Sequence, residues 1–176
     1  HTVHSDGDFT VSELQKAAAD DHLAIIALTD HNTFSGWDEL DDNIIPAIRG
    51  IEWTTYFGHM LVLGANDFVD WRDAQPDNID EKIKQVKAVG GIVGIAHPYQ
   101  LGSPLCTGGR WEFNVRDWRN VDYIEVWHQN LYSAKRENER ALELWTSLLD
   151  KGYKIAATYG RDWHREETSG HYGCTY

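Results

Sequence analysis

The sequence is poor in cysteine, and Cys106 and Cys174 are its two thiols among 176 residues. They form no Cys-x-x-Cys pair, so neither a disulfide framework nor a zinc site built from thiolates is expected. No apolar run is long enough to span a bilayer. Basic residues are also scarce, because 16 Lys and Arg stand against 28 Asp and Glu, for a formal net charge of -12. We therefore expect neither a membrane nor a nucleic-acid polymer as a partner.

The remaining composition is that of a globular protein. Hydrophobic residues make up 41% of the chain, and its length fits one domain with a sizeable core, so we expect a single domain over residues 1–176. A cytoplasmic location is the default expectation. A leader or the beginning of the domain can have been removed, because the chain begins at His1 rather than Met. The sequence indicates no oligomeric state.

Predicted strands and helices alternate along the chain. Helices are expected over 10–21, 78–91 and 132–152, and strands over 23–29, 43–53, 58–65, 92–98, 121–128 and 153–164. Apolar strands separated by helices are typical of a parallel sheet in an α/β fold, either a barrel or an open doubly wound sheet. Residues 100–120 interrupt the pattern, and we expect a long loop over a site there.

Histidines and carboxylates follow several of the predicted strands directly. They are Asp30, His31, Glu52, His97, Asp162 and His164, while His1, His4 and Asp6 open the chain. Because the carboxyl ends of parallel strands converge on one face, these side chains are expected to share one pocket. His59 differs, since it precedes its strand. It can join the pocket only from an antiparallel strand or a neighbouring edge.

Imidazole and carboxylate without thiolate is a ligand set that suits Zn, Mn or Fe. One ion needs three or four protein ligands, and the candidates are too many for that. Two or three divalent ions that share a bridging carboxylate are the economical interpretation. Glu52 is the best bridge, because it stands alone directly after a strand in the middle of the chain.

Each candidate also has an interpretation that needs no metal. Asp30 or Asn32 can cap a helix, His97 can be a core histidine bonded to the backbone, and the closing Asp-x-His pair can form a turn. His22 is expected to be a charged residue at a helix end, and His171, near the chain end, is expected to have no metal-binding role. The shared position at strand ends is what favours the metal pocket for the others.

Seven motifs appear in the order HTVHSDG, LTDHNT, GIEWTT, GHMLVLG, GIAHP, YIEVWH and GRDWH. Together they resemble the polymerase and histidinol phosphatase (PHP) domain family, from His1 to His164. Within it the chain is most similar to small stand-alone metal-dependent phosphoesterases, including the branch related to carbaryl hydrolases. The resemblance implies a distorted seven-stranded (β/α) barrel of the TIM type with up to three metal ions. This chain is expected to lack the first strand of that barrel.

The resemblance also implies a ligand set. Its members are His1, Asp6, His31, Glu52, His59, His97, Asp162 and His164. One implied grouping places His1, Glu52 and Asp162 on one ion. A second ion would take Glu52, His59 and His97, and a third would take Asp6, His31 and His164.

The chain departs from the family at four positions. The first histidine of the opening pair would lie two residues before His1 and is absent from the sequence. Arg161 replaces a small residue, and Trp163 stands where Ala is frequent. His128 stands where the family more often has Asn, and it can be an extra ligand, a substrate contact or a loop histidine.

The function that follows is hydrolysis of a phosphate ester, either a phosphomonoester or a nucleotide-type substrate, by a hydroxide that bridges the ions at Glu52. Arg161 is a candidate for binding the phosphate in a forked geometry, with a surface salt bridge as the alternative. His31 or His164 can protonate the leaving oxygen if it is not occupied as a ligand.

Two other functions remain open from the sequence. The same hydroxide can attack a carbamate or carboxyl ester, with Trp111 and Trp118 binding an apolar leaving group, although aromatic residues more often belong to the core. The chain can also be a metal-stabilised domain without catalytic activity.

Overall fold

A computed structural model describes residues 1–102, 108–129, 135–166 and 172–175 of the chain. The helices are α1 Val11–Asp20, α2 Ile79–Ala88 and α3 Lys135–Asp150. The strands are β1 Ile26–Leu28, β2 Ala47–Thr55, β3 Gly58–Leu63, β4 Ile92–Ala96, β5 Tyr123–His128 and β6 Ala156–Gly160. Short 3-10 helices occur at Trp37–Glu39 and Trp118–Asn120. Cys106, His171, part of the predicted loop over 100–120 and the predicted start of the third helix lie outside the described residues.

The six strands form one curled sheet in the order β1-β2-β3-β4-β5-β6. Strand β1 runs parallel to β2, and β4, β5 and β6 run parallel to one another. Strand β3 is antiparallel to both of its neighbours, so the parallel sheet predicted from the sequence is interrupted here, in the direction that the sequence leaves open for His59. The α/β class and a partial TIM-like barrel agree with the prediction, and the described residues contain no seventh strand.

Strand β1 is shorter and more exposed than its sequence suggests. The apolar run predicts a buried strand over 23–29, but the paired segment is only Ile26–Leu28, and Leu28 is its one buried residue. Ile25 is 52% exposed. The reason is the position of β1 at one end of the strand order, where β2 is its ladder partner.

Helix α1 begins where the sequence predicts. The Thr10 side chain accepts a hydrogen bond from the Glu13 amide, and the Glu13 carboxylate accepts one from the Thr10 amide, which completes a capping box. Val11, Leu14 and Ala18 on one face of the helix are buried. Val11 and Leu14 pack with Phe9 and Leu28 in a small apolar cluster.

The main core lies between the sheet and helices α2 and α3. Its members include Trp53 and Met60 from β2 and β3, Ile83 from α2, and Ile124 from β5. Trp111 and Trp118, proposed above to bind a leaving group, pack against this core instead. Among the described residues, no helix is both long and apolar enough to cross a membrane.

Candidate metal centre

The reversed direction of β3 brings His59 to the strand ends that carry the other candidates. His59 pairs with Thr54 near the end of β2 and with Ala96 at the end of β4. His97 follows Ala96 directly, and its Nε2 lies 3.0 Å from His59 Nδ1. The sequence predicts that His59 can reach the shared pocket from an antiparallel strand, and β3 is such a strand.

Glu52 lies at the centre of the cluster and is almost completely buried. Its Oε2 is 3.1 Å from His1 Nε2, and its Oε1 is 2.8 Å from His59 Nδ1. The carboxylate thus presents one oxygen to each of two different imidazoles. This is the arrangement that a carboxylate shared by two ions requires.

Asp162 has a similar position on the other side of His1. Its Oδ1 lies 2.9 Å from His1 Nε2, and its Oδ2 lies 2.9 Å from His128 Nε2. The chain reaches this geometry with the backbone of Asp162 at φ +51°. His97, just after β4, has φ +26°. Non-glycine residues adopt such conformations at a cost of about 1–3 kcal/mol each, and they concentrate at functional sites.

A third set of side chains lies at the exposed rim. Asp6 Oδ1 is 3.2 Å from His164 Nε2 and 3.6 Å from His31 Nε2. The imidazole of His1 stacks against each of these two histidines, with ring centroids 4.1 Å from each, and the centroids of His31 and His164 are 5.6 Å apart. His1 therefore connects the rim with the buried carboxylates.

The histidines and carboxylates form four overlapping groups, in each of which the possible ligand atoms all lie within 4.8 Å of one another. The groups are His1, Asp6, His31 and His164; Glu52, His59 and His97; His97, His128 and Asp162; and His1, Glu52 and Asp162. All eight ligands implied by the resemblance are in these groups. The structure adds His128, which is not in that set.

Contacts with atoms that are not possible ligands in the four groups orient two of the imidazoles. His164 Nδ1 donates to the carbonyl oxygen of Asp162 at 2.8 Å. His97 Nδ1 lies 3.1 Å from Glu125 Oε2. A hydrogen bond from one ring nitrogen leaves the lone pair of the other nitrogen for a metal. In both rings the Nε2 atom faces the cluster, so these side chains fit a metal site.

Glu125 could not take this position beside a larger residue in β6. A Cβ atom at residue 160 would lie 2.3 Å from Glu125 Oε1, and Gly160 removes that clash. Glu125 also accepts a hydrogen bond from the His97 amide at 2.9 Å. The carboxylate therefore holds both the backbone and the ring of His97.

The charges of the cluster suit cations. Burial raises the pKa of Glu52, but hydrogen bonds from His1 and His59 outweigh it and hold that pKa below its usual range. Burial likewise opposes ionisation of Asp162, whose hydrogen bonds from His1 and His128 lower its pKa well below normal. Both carboxylates are therefore ionised at neutral pH.

Two histidines respond to this environment in opposite ways. Burial lowers the pKa of His31 to about 4, so its ring is neutral near pH 7. Burial also lowers the pKa of His97, but the hydrogen bond to Glu125 and the charge of Glu52 outweigh it and raise that pKa to about 9. A metal ion that binds His97 must therefore displace a proton.

The cluster opens into a cavity of about 330 Å³. Besides the ligand candidates, polar side chains such as Gln100, Gln129 and Arg165 line it. Arg161 does not line this cavity, so the structure does not support its predicted phosphate contact. Its guanidinium pairs with Asp21 and lies 3.4 Å from the ring centroid of Trp163.

Two neighbours of His31 have other roles than the sequence suggests. Asp30 is buried and accepts hydrogen bonds from the Thr2 amide at 2.6 Å and from Ser5 Oγ at 2.8 Å. It therefore holds the loop between His1 and Asp6. Asn32 does not cap a helix. Its side chain exchanges two hydrogen bonds with the backbone of Thr54, and the backbone of Asn32 itself has φ +53°.

Three other residues, His4, His22 and Glu125, belong to none of the four groups. His4 lies apart from the four groups, and its ring nitrogens contact Ser35 Oγ at 2.9 Å and Glu39 Oε1 at 2.8 Å. His22 is exposed just beyond the end of α1, as predicted. Sequence reasoning missed Glu125, although its place between the apolar residues of YIEVWH marks it as an acid within a buried strand.

No protein-family model matches the chain, and no curated protein is significantly similar to it. Solved structures do match its fold. One is a protein from Bifidobacterium adolescentis proposed to be a metal-dependent phosphoesterase, with 21% identity, a TM-score of 0.66, and coverage of 98% of this chain and 88% of that chain.

A second match is a two-domain protein from Bacteroides vulgatus predicted to contain a PHP-like metal-dependent phosphoesterase. It has 21% identity and a TM-score of 0.69, and the match covers 94% of this chain and 50% of that chain. A third is an amidohydrolase from Chromobacterium violaceum with bound sulfate and no metal, at 18% identity, a TM-score of 0.62, and coverage of 97% and 88%. At these identities the similarity concerns the fold, and it supports the resemblance to PHP domains.

Proposed function

We propose that the chain is a PHP-family hydrolase that uses two or three divalent transition-metal ions, of Zn, Mn or Fe, to cleave phosphate esters. The observation that carries the proposal is the set of four overlapping ligand groups at the opening of one cavity. Glu52 and Asp162 each belong to two groups. Two ionised carboxylates among several imidazoles form a donor set of the kind these metals prefer.

Each proposed ligand has a role that its contacts support. Glu52 and Asp162 would be shared between neighbouring ions, and Glu52 is the central carboxylate of the reaction site. His31 and His164 direct Nε2 at Asp6, so we assign them to metal binding rather than to proton transfer. When bound, the ions would lower the pKa of a coordinated water toward neutrality and offset negative charge on the substrate.

The cavity favours a small anionic substrate. Its volume of about 330 Å³ lies at the lower end of the ~300–1,000 Å³ usual for ligand sites. Arg165 is one of its lining residues, and a guanidinium can bind a phosphate through two hydrogen bonds. We therefore assign phosphate binding to Arg165 in place of Arg161.

A carboxyl ester, carbamate or amide is the second candidate substrate. It is favoured by the fold that the chain shares with the Chromobacterium amidohydrolase. Both Trp111 and Trp118 pack on the apolar core, which argues against their binding an aromatic leaving group.

The single-domain organisation and the cytoplasmic location remain proposals as well.

The test combines elemental analysis of the purified protein with a substrate panel. The panel contains phosphomonoesters, phosphodiesters, nucleotides, carboxyl esters and carbamates. We expect at least two equivalents of transition metal per chain, phosphomonoester hydrolysis, loss of activity on chelation, and recovery when metal is restored.

Matched substitutions sharpen this test. His97→Ala and His31→Ala should lower both metal content and activity. His22→Asn is the control, because His22 is exposed and belongs to none of the groups. Metal content near zero after growth with added metal would overturn the proposal. Bound metal without turnover of any ester would instead identify a non-catalytic domain.

A further inference from the structure

His128 is the last residue of β5, and its buried position is not that of a loop histidine. Its Nε2 lies 2.9 Å from Asp162 Oδ2, and its ring centroid is 4.5 Å from that of His97. Its other nitrogen, Nδ1, is buried and has no hydrogen-bond partner among the described residues. Among the described residues, the contact of Nε2 with Asp162 is therefore the one hydrogen bond of this ring.

A β-bulge directs His128 into the cavity. Glu125 pairs with Thr158, whereas Trp127 pairs with Tyr159, so Val126 is an extra residue in β5. Side chains alternate between the faces of a regular strand, which would place Glu125 and His128 on opposite faces. The bulge changes this phase. As a result, Glu125 contacts His97 and His128 contacts Asp162 at the same edge of the sheet.

The end of β5 is also held from the helix that follows it. Asn138 in α3 is buried. Its Oδ1 accepts a hydrogen bond from the His128 amide at 3.2 Å, and its Nδ2 donates to the His128 carbonyl at 3.2 Å. A buried side chain that satisfies both backbone groups of one residue fixes where the imidazole lies.

We propose that His128 is an additional metal ligand, which binds one ion together with His97 and Asp162. The inference rests on the proposed metal centre, and it adds a ligand beyond the eight that the resemblance implies. The possible ligand atoms of these three residues lie within 4.8 Å of one another. Two imidazoles and one carboxylate combine borderline and hard ligands, and this combination suits Zn²⁺, Co²⁺, Mn²⁺ or Fe²⁺.

The alternative role is a hydrogen bond to Asp162, and His128→Gln separates the two roles. Glutamine keeps an N–H near the position of Nε2 but lacks the imidazole lone pair. Metal affinity is measured by titration of the metal-free protein with Co²⁺, followed by the visible absorption of the bound ion. His4→Gln is the matched control, because His4 has hydrogen-bond partners but lies outside the four groups.

If His128 is a ligand, His128→Gln loses one cobalt-binding step or weakens it more than the ~10–100-fold typical of residues that only orient a ligand. The absorption spectrum of the remaining cobalt should change as well. Affinity within roughly tenfold of the wild type with an unchanged spectrum would show a hydrogen-bonding role and overturn the inference. His4→Gln should match the wild type in both readouts.

A measurement on the unmodified protein covers the case in which His128→Gln fails to fold. Anomalous diffraction from crystals of the Zn²⁺-loaded wild type should place an ion in bonding contact with His128. Ions found only beside other residues would overturn the inference. The outcome is separate from the proposed function: retained turnover with no ion at His128 defeats this inference alone, while an ion at His128 without any turnover defeats the function alone.

Discussion

The candidate metal centre has a buried half and an exposed half, which meet at His1. The Glu52 side chain in the buried half is 2% exposed, whereas the Asp6 side chain at the rim is 56% exposed. Two imidazoles lie within 3.1 Å of each of the two inner carboxylates, Glu52 and the half-buried Asp162. The two halves therefore contain similar chemical groups in different surroundings.

The difference concerns preorganisation. In the buried half the carboxylates are confined by packing, and their charges act in a medium with little water, where electrostatic interactions are stronger. At the rim Asp6 is hydrated, and its interactions are screened. We expect the buried half to retain its ions and the rim to exchange its ion more readily, at the side from which a substrate enters.

The largest expected effect is in the buried half. Glu52→Gln removes a charge that two ligand groups share, so the protein should lose about one equivalent of metal or more, and kcat/KM should fall by more than the ~100-fold that marks the loss of an orienting contact. Metal content is measured by elemental analysis and folding by circular dichroism. Wild-type metal content in a folded Glu52→Gln variant would remove the distinction between the halves.

A smaller effect is expected at the rim. Asp6→Asn affects only the group with His1, His31 and His164, so the protein should lose about one equivalent of metal while the buried ions remain. Stepwise chelation of the wild type should likewise release one ion before the others. Simultaneous loss of all metal in Asp6→Asn would show that the two halves bind as a single unit.

Next in size is the effect on substrate affinity. Arg165→Gln should raise KM for a phosphomonoester by about tenfold or less, because a single exposed guanidinium contributes on the order of 1 kcal/mol. Arg161→Gln is the matched control, since that guanidinium pairs with Asp21 away from the cavity. A KM for Arg165→Gln equal to the values of both the wild type and Arg161→Gln would exclude Arg165 from substrate binding.

The smallest effect on activity is expected far from either half. Thr10→Ala removes the side chain that caps α1, and it should lower the free energy of unfolding by about 1 kcal/mol. Metal content and kcat/KM should be unchanged. Thermal or denaturant unfolding measures the first quantity. A change in metal content would show that α1 influences the loop that carries His1 and Asp6.

Local sequence patterns were sufficient to predict two of the helices and most of the candidate metal ligands. Helices α1 and α2 follow from amphipathic spacing and from end signals such as Thr10 and Gly90, because those signals act within one or two turns of the chain. The candidates at strand ends were also identifiable, since an apolar run that stops at a histidine or an acid is visible in the sequence. The condition that His59 needs an antiparallel strand could be stated in advance as well.

Tertiary structure decided the rest. The direction of β3, the edge position of β1 and the bulge at Val126 depend on pairing between distant segments, which residue order alone does not specify. The bulge places His128 at the cavity, whereas Arg161 pairs with Asp21. The sequence by itself determined which chemical groups the centre contains. Only the fold decided which of them meet, because hydrogen bonding and packing between strands fix the direction of each side chain.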